Sequence, residues 1–487
     1  MAQRMLKFIE FDQKTPDKRD VDIRRRDFLE IYEEYDPNEA AQQASRCSQC
    51  GIPYCQIHCP VSNNIPDWLR LTAQGRIEEA YEVSSATNNL PEICGRICPQ
   101  DTLCEGNCVI EKGFDSVTIG SVEKYITDTA FERGLVKPPA PSREREQSVG
   151  IIGGGPAGLA AAEQLRRKGY QTHVYDRHDR IGGLLVYGIP SFKLEKWVVK
   201  RRVDLLTEGK VQFHRNFEVG RDASLADLQK QHDAILIATG IYKSRDIEMP
   251  GAGLKNIFHA LDYLIASNRK GLGDDVPRFD DGTLNAKGKQ VVVIGGGGTA
   301  MDCIRTAIRQ DAASVTNIER FDRPDMSGSK REVRYAEEEG VNFNWLSSPE
   351  AFLGNGKVSG VRAIRVHLSD ADATGRRNAI PIPESHFTLE ADLVVKALGF
   401  DPEEIPILFG APELEVSRWG TIKIDFRTMM TNLDGVFAAG DIARGASLVV
   451  WGIRDGRDAA ENIDAYLRAG MKGEERPEKN SQWHHKE

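Results

Sequence analysis

Apolar positions along this chain follow three successive regimes. Over residues 1–145 they recur at helical spacing, as at 68–81, with few β-branched runs, which predicts a mostly helical segment with loops. From residue 146 the pattern changes. Ser148-Val149-Gly150-Ile151-Ile152 reads as a buried strand, followed by a glycine turn and a helix over 159–168. The same succession returns 142 residues later (148 to 290): Gln290-Val291-Val292-Val293-Ile294, then Gly295-Gly296-Gly297-Gly298, then a helix over 300–309. A proline-rich stretch, Lys137-Pro138-Pro139-Ala140-Pro141, separates the first regime from the second and breaks both helix and sheet.

Charge and length narrow the classes of function. The 487 residues are enough for two or three domains. Lys plus Arg is 64 against 73 Asp plus Glu, a net charge of −9. That balance leaves no electrostatic footprint for nucleic acid or an anionic membrane surface. The start carries mixed charge instead of a signal-type apolar run, and no stretch approaches the ~20 apolar residues that span a bilayer. A cytoplasmic protein is expected. The polar tail 474–487 is expected to fray, and its His484-His485 pair has no companions for a metal.

The two glycine turns carry specific chemistry. Gly153-Gly154-Gly155-Pro156-Ala157-Gly158 fits G-x-G-x-x-G: Gly153 for the tight turn, Gly155 for backbone approach to a pyrophosphate, Gly158 for helix-on-strand packing. Helix amides and the helix dipole then face the phosphates. The next strand ends at Asp176, placed to accept from ribose hydroxyls. The second turn has Gly295, Gly297 and, in third position, Ala300, with Thr299 beside it. Its following strand ends at Glu319, the residue type that favours NAD, next to Arg320 and Arg323, the type that holds the 2′-phosphate of NADP. Coenzyme choice therefore stays open between NADH and NADPH. The predicted fold class is α/β with two Rossmann-like dinucleotide-binding domains, preceded by the helical domain.

Two more segments carry a resemblance. Ala238-Thr239-Gly240 closes a buried strand, and Gly440-Asp441 follows another. With the paired glycine loops they resemble two-dinucleotide flavoproteins such as glutathione and thioredoxin reductases. The resemblance implies FAD at the first loop, with Asp441 on its ribityl chain. It also implies an NAD(P)H domain at 286–395, inserted between FAD-domain parts at 146–285 and 396–487. No C-x-x-C lies inside these domains, and Cys303, in the helix after the second loop, reads as a packing residue. Electrons must leave elsewhere.

Eight of the nine cysteines lie between Cys47 and Cys108. Cys47, Cys50, Cys55 and Cys59-Pro60 form one group; Cys94, Cys98-Pro99, Cys104 and Cys108 form the other. Thiolates at such spacing with a terminal Cys-Pro suit iron–sulfur clusters. Two zinc ions are the main alternative and disulfides a weaker one; the adjoining flavin module favours clusters.

The stretches 46–60 (R-C-S-Q-C-G-I-P-Y-C-Q-I-H-C-P) and 93–108 resemble the small (β) subunit of bacterial glutamate synthase. So do G-G-L-L-V-Y-G-I-P at 182–190, which includes Gly183, and the segment 444–460. Dihydropyrimidine dehydrogenase and a ferredoxin:NADP oxidoreductase carry similar modules. The resemblance implies two [4Fe–4S] clusters in a 1–145 domain. Cys47, Cys50, Cys55 and Cys108 would hold one; Cys59, Cys98, Cys104 and either Cys94 or Glu123 would hold the other. It further implies a hetero-oligomer with a large (α) subunit that carries FMN and glutaminase activity and makes L-glutamate from L-glutamine and 2-oxoglutarate. The alternative is the same module serving another acceptor, ferredoxin or a pyrimidine-reducing partner. Gly298 and Glu319-Arg320-Phe321 depart from the family's usual Asp and Y-R-R, both in the NAD(P)H site. No side chain is singled out as a conventional acid or base.

Overall fold

A computed structural model describes residues 4–326, 328–372, 375 and 377–472; the tail 474–487 with its His pair lies outside them. The first regime is helical, with Pro37–Ser45, Ile65–Ala73, Ile77–Thr87, Pro91–Ile97 and Ile119–Glu132 as its main helices. The spacing over 68–81 resolves into two helices because Gly75, at φ +75°, turns the chain between them. Trp68, Leu69, Val122 and Ile126 form the centre of their core. Helices Pro91–Ile97 and Ile119–Glu132 touch through backbone: a Cβ on Gly95 would lie 2.7 Å from the Lys124 nitrogen. That approach sets Cys94 and Cys98 opposite Glu123.

Two parallel five-stranded sheets follow. The first runs, in spatial order, Val436–Ala438, Ala234–Ile237, Ser148–Ile152, Gln171–Asp176, Gln212–Arg215. Its outermost strand comes from far along the chain, so residues on both sides of the second sheet build the first. The second runs Ile257–His259, Leu393–Lys396, Gln290–Ile294, Ser314–Ile318, Asn342–Asn344. It therefore recruits a strand ahead of residue 286, because Val394 and Val395 pair with Ile257 and Phe258. A three-stranded antiparallel sheet, Ser347–Asn355, Lys357–Leu368 and Ala379–Glu390, packs beside it. The chain leaves and re-enters the first sheet's half through the antiparallel pair Lys243–Ser244 and Phe400–Asp401.

The central strands of both sheets are buried on both faces, as parallel sheets covered by helices require. The helix Val449–Lys472 covers the first glycine-loop helix, Pro156–Arg167; a Cβ at Gly456 would come 2.1 Å from the Ala157 carbonyl oxygen. Among the described residues no helix is long and apolar enough to cross a membrane.

Candidate functional site: two glycine loops and a cysteine cavity

At the first glycine loop, Gly153 holds φ +109° and a Cβ there would strike the Ala238 carbonyl oxygen at 2.3 Å. A Cβ on Gly158 would lie 1.9 Å from the Gly153 carbonyl oxygen. Both glycines are thus demanded by the protein's own backbone. Gly155 is different: nothing lies within 4 Å of where its Cβ would be, so its openness serves whatever approaches the helix Pro156–Arg167. Asp176 ends its strand buried, and its carboxylate accepts from the Gly154 and His178 amides, both at 2.8 Å. Gly183, from the 182–190 motif, comes to the same loop, its Cβ direction 3.1 Å from the Gly155 Cα. Half-buried Lys196 ties that motif down by donating to the Leu185 carbonyl at 3.1 Å and to that of Ile189. Gly440, at φ +75°, abuts Ala157, and Asp441 accepts from the Ser447 hydroxyl at 2.6 Å. Burial lifts the Asp441 carboxyl to about 6.

A cleft of about 290 Å³ opens over this loop, lined by Gly153, Asp176 and Thr239 from the expected set. Gly240, at φ +69°, follows Thr239. Arg177, His178, Tyr242, Phe217 and Glu403 line the cleft too and were missed from sequence. Arg177 and His178 had a signal, standing directly after the strand-end acid. Glu403 had none, because it reaches the cleft from across the second sheet, where it pairs with Arg177 at 2.9 Å.

The second loop repeats the geometry. Gly295 (φ +129°) lies against the Ala397 carbonyl oxygen, 2.4 Å from an added Cβ, and Gly297 caps the helix Gly298–Arg309. Thr299 and the fully buried Ala300 occupy its first turn. Glu319 matches Asp176: it is buried, accepts from the Phe321 amide at 3.0 Å, and leaves no space for a side chain on Gly296. Burial raises its carboxyl above the usual range. Arg320 is exposed over the Phe321 ring, 5.1 Å from its centre, whereas Arg323 is bound to Glu337.

None of the nine cysteines is joined in a disulfide. The eight N-terminal ones sort into two neighbourhoods that cross their sequence grouping. Burial pushes the Cys47 thiol up to about 11 and Cys55 to about 12, and Cys47, Cys50, Cys55 and Cys108 act on one another electrostatically. Cys59, Cys94, Cys98 and Cys104 line one small cavity with Glu123, Asn88 and Gln100. A Cys94–Cys98 hydrogen bond and burial raise Cys98 well above an ordinary thiol, burial does the same for Cys104, and burial lifts Cys59 to about 12. Glu123 is raised by burial to about 8, with Asn88 donating to it at 3.3 Å. With Cys59, Cys98, Cys104 and Glu123 all disfavoured as anions, this cavity is balanced when a group carrying positive charge enters it. Among the described residues no three such side chains converge as they would on a single metal ion; these five instead stand around a cavity. Buried Arg46, unremarked in the sequence, donates to the carbonyls of Phe11, Phe114, Asp115 and Ser116 and so fixes the loops beside Cys47 and Cys108. Cys303 is fully buried in the core of the second domain, apart from the other eight.

The fold and this arrangement define a flavoprotein of the two-dinucleotide type with an appended cluster-binding module. Residues 24–135 match the family described as dihydropyrimidine dehydrogenase domain II, 4Fe-4S cluster, and residues 147–456 match pyridine nucleotide-disulphide oxidoreductase. The glutamate synthase [NADPH] small chain of Azospirillum brasilense is 66% identical over 468 residues, covering 96% of this chain and 97% of that one. The Escherichia coli K12 protein of that description is 44% identical over 472 residues, 96% and 100% of the two chains. The chain belongs to the glutamate synthase small-chain family. In fold, it is similar to Mycobacterium tuberculosis FprA in complex with NADPH: TM-score 0.57, 20% identity, 68% of this chain and 86% of that one.

Proposed function

We propose that this chain is the electron-input subunit of a glutamate synthase, oxidising NADPH and passing the electrons to a large subunit that makes L-glutamate from L-glutamine and 2-oxoglutarate. The observation that carries the reading is near full-length similarity to glutamate synthase small chains, together with a cavity lined by four cysteines in a chain that has two glycine loops. A bound flavin takes hydride from a reduced nicotinamide and returns electrons singly, which suits iron–sulfur clusters as its acceptors.

The residues have these roles. Gly153, Gly155 and Gly158 seat the FAD pyrophosphate on the helix N-terminus, Asp176 holds its ribose, and Thr239, Gly240, Gly183, Gly440 and Asp441 line the rest of its site. Gly295, Gly297, Thr299 and Ala300 seat the nicotinamide coenzyme, Glu319 faces its ribose, and exposed Arg320, with Arg323, meets the 2′-phosphate. Cys47, Cys50, Cys55 and Cys108 hold one [4Fe–4S] cluster. Cys59, Cys98, Cys104 and either Cys94 or Glu123 hold a second. Residues 1–145 form the cluster module, and the coenzyme domain near 286–395 is inserted into the FAD domain. The relatives' description as a small chain supports a large partner and hence a hetero-oligomer.

Rapid-mixing reduction of the anaerobic protein tests the reading. NADPH should bleach flavin and cluster absorbance together and faster than NADH, and the chain should co-purify with a large FMN-containing glutaminase. If neither coenzyme reduces the flavin, the reading fails. Iron analysis should give about eight irons per FAD; about two zincs and no iron would overturn the cluster assignment.

A further inference from the structure

One short segment joins the second glycine loop to the cysteine cavity. Gly328 packs on the loop so closely that a Cβ there would lie 2.7 Å from the Gly296 carbonyl oxygen. The residues after it reach the other way. The Ser329 hydroxyl lies within hydrogen-bond distance of both carboxylate oxygens of Asp101, at 3.0 and 2.8 Å, and the Arg331 amide donates to the same carboxylate at 3.4 Å. The Arg331 guanidinium donates to Gln100 at 3.3 Å and to buried Glu105. Gln100 lines the cavity and donates to the Cys94 and Gly95 carbonyls, each at 3.2 Å. Glu105, next to Cys104, takes the Gly120 amide at 3.0 Å. Behind the segment, the helix Lys330–Glu338 is secured to the N-terminal strap by Tyr32 against Tyr335 and by Lys18 and Arg24 against Glu338.

We propose that Arg331 is a positioning residue that makes coenzyme binding at Gly295–Gly297 and electron occupancy of the cysteine cavity oppose each other. The proposal rests on the function given above. Coenzyme phosphates bring negative charge to one end of the segment, and electrons bring it to the other. Both draw on the same guanidinium and on the same helix end, so what one holds is less available to the other. Linkage makes the effect mutual: reduction of the cavity weakens coenzyme binding by the factor by which bound coenzyme disfavours reduction. Electrons that have reached the cavity thereby hasten release of the spent coenzyme.

The test uses the full chain loaded with FAD and iron, kept anaerobic. The probe is 2′-phospho-ADP-ribose, which has the coenzyme's phosphates but no nicotinamide and so exchanges no electrons. Calorimetry measures its affinity before and after reduction with dithionite. In the unaltered protein the affinity should fall at least about five-fold on reduction. Bound probe should lower the midpoint of the cavity's electron paramagnetic resonance signal by the matching amount, about 40 mV. In Arg331→Met the ratio should shrink below two-fold. Flavin reduction is common to both proteins, so the difference between them reads the Arg331 link. Equal affinities in the unaltered protein, or the same ratio in Arg331→Met, overturn the proposal. If Arg331→Met loses its iron, Arg331→Gln, which removes the charge but keeps a donor towards Gln100 and Glu105, decides by the same ratio. Absence of any cluster signal or any probe binding in the unaltered protein overturns the underlying function instead, and the coupling with it.

Discussion

Glu92 and Arg202 meet in a two-pronged ion pair, Nε to Oε1 at 2.7 Å and Nη2 to Oε2 at 2.8 Å, with neither side chain open to solvent. Glu92 belongs to the cysteine module and Arg202 to the helix Lys196–Glu208 of the first dinucleotide domain, so the pair rivets one to the other. Arg202 has a second carboxylate, Glu163, only at 3.8 Å. Glu92→Ala leaves a buried cation with poor compensation, a change that costs roughly 3–5 kcal/mol. Chemical unfolding should show it as a lowered midpoint, with early loss of cluster absorbance.

Two glycines three residues apart, Gly155 and Gly158, should separate folding from binding. Gly158→Ala forces a Cβ to 1.9 Å from a backbone carbonyl, so the strand–helix junction must move and the protein should purify without flavin. Gly155→Ala meets nothing in the protein. Its thermal midpoint without FAD should change little, while FAD affinity falls about ten-fold or more, at least 1.4 kcal/mol. Flavin content and thermal melting of the two variants check this.

Three clustered imidazoles, two on the first sheet and His232 just ahead of its strand Ala234–Ile237, set an acid limit. His173 and His214 lie 3.1 Å apart, and His232 is bonded to Ser148 at 2.9 Å and Tyr175 at 2.8 Å. Burial lowers all three, His232 to about 4. A base depressed in the folded state is charged first in the unfolded chain. Between about pH 6.5 and 4 the unfolded chain binds more protons, so stability is complete above 6.5 and falls as pH drops, with a slope of up to about 1.4 kcal/mol per pH unit per group. His232→Gln should flatten that slope in melting curves taken across the window.

Cysteine replacements should divide sharply. Cys98→Ser removes a thiol from the cavity and should cost about half the iron, whereas Cys303→Ser, in the second domain's core, should leave iron unchanged and lower only stability. Glu123→Gln and Cys94→Ser, compared by iron content and resonance spectrum, identify the fourth ligand: the spectrum moves only for the residue that touches the cluster.

Much of the site was legible because its chemistry is local. A pyrophosphate turn needs glycine where φ is positive or backbone approaches backbone, so Gly153, Gly158 and Gly295 announce themselves in the chain, and the strand-end acids follow at a set distance. The helical character of the first module was equally plain from spacing. Other features depended on contacts between distant segments. Cys59 follows Cys55 by four residues yet lines the cavity with Cys94, Cys98 and Cys104, because the close crossing at Gly95 and Gly120 brings the later helices to it. The strand Ile257–His259 joined the second sheet through pairing with Val394 and Val395, a choice made between chain segments and invisible to periodicity. The three-stranded sheet and the placement of Glu403 in the cleft over the first glycine loop were hidden for the same reason. Sequence alone determined which backbone turns and donor atoms this protein has, since those are set by each residue's own stereochemistry. Only the tertiary structure decided which donors share a cavity and which loop touches it, since burial and packing join residues that the chain keeps apart.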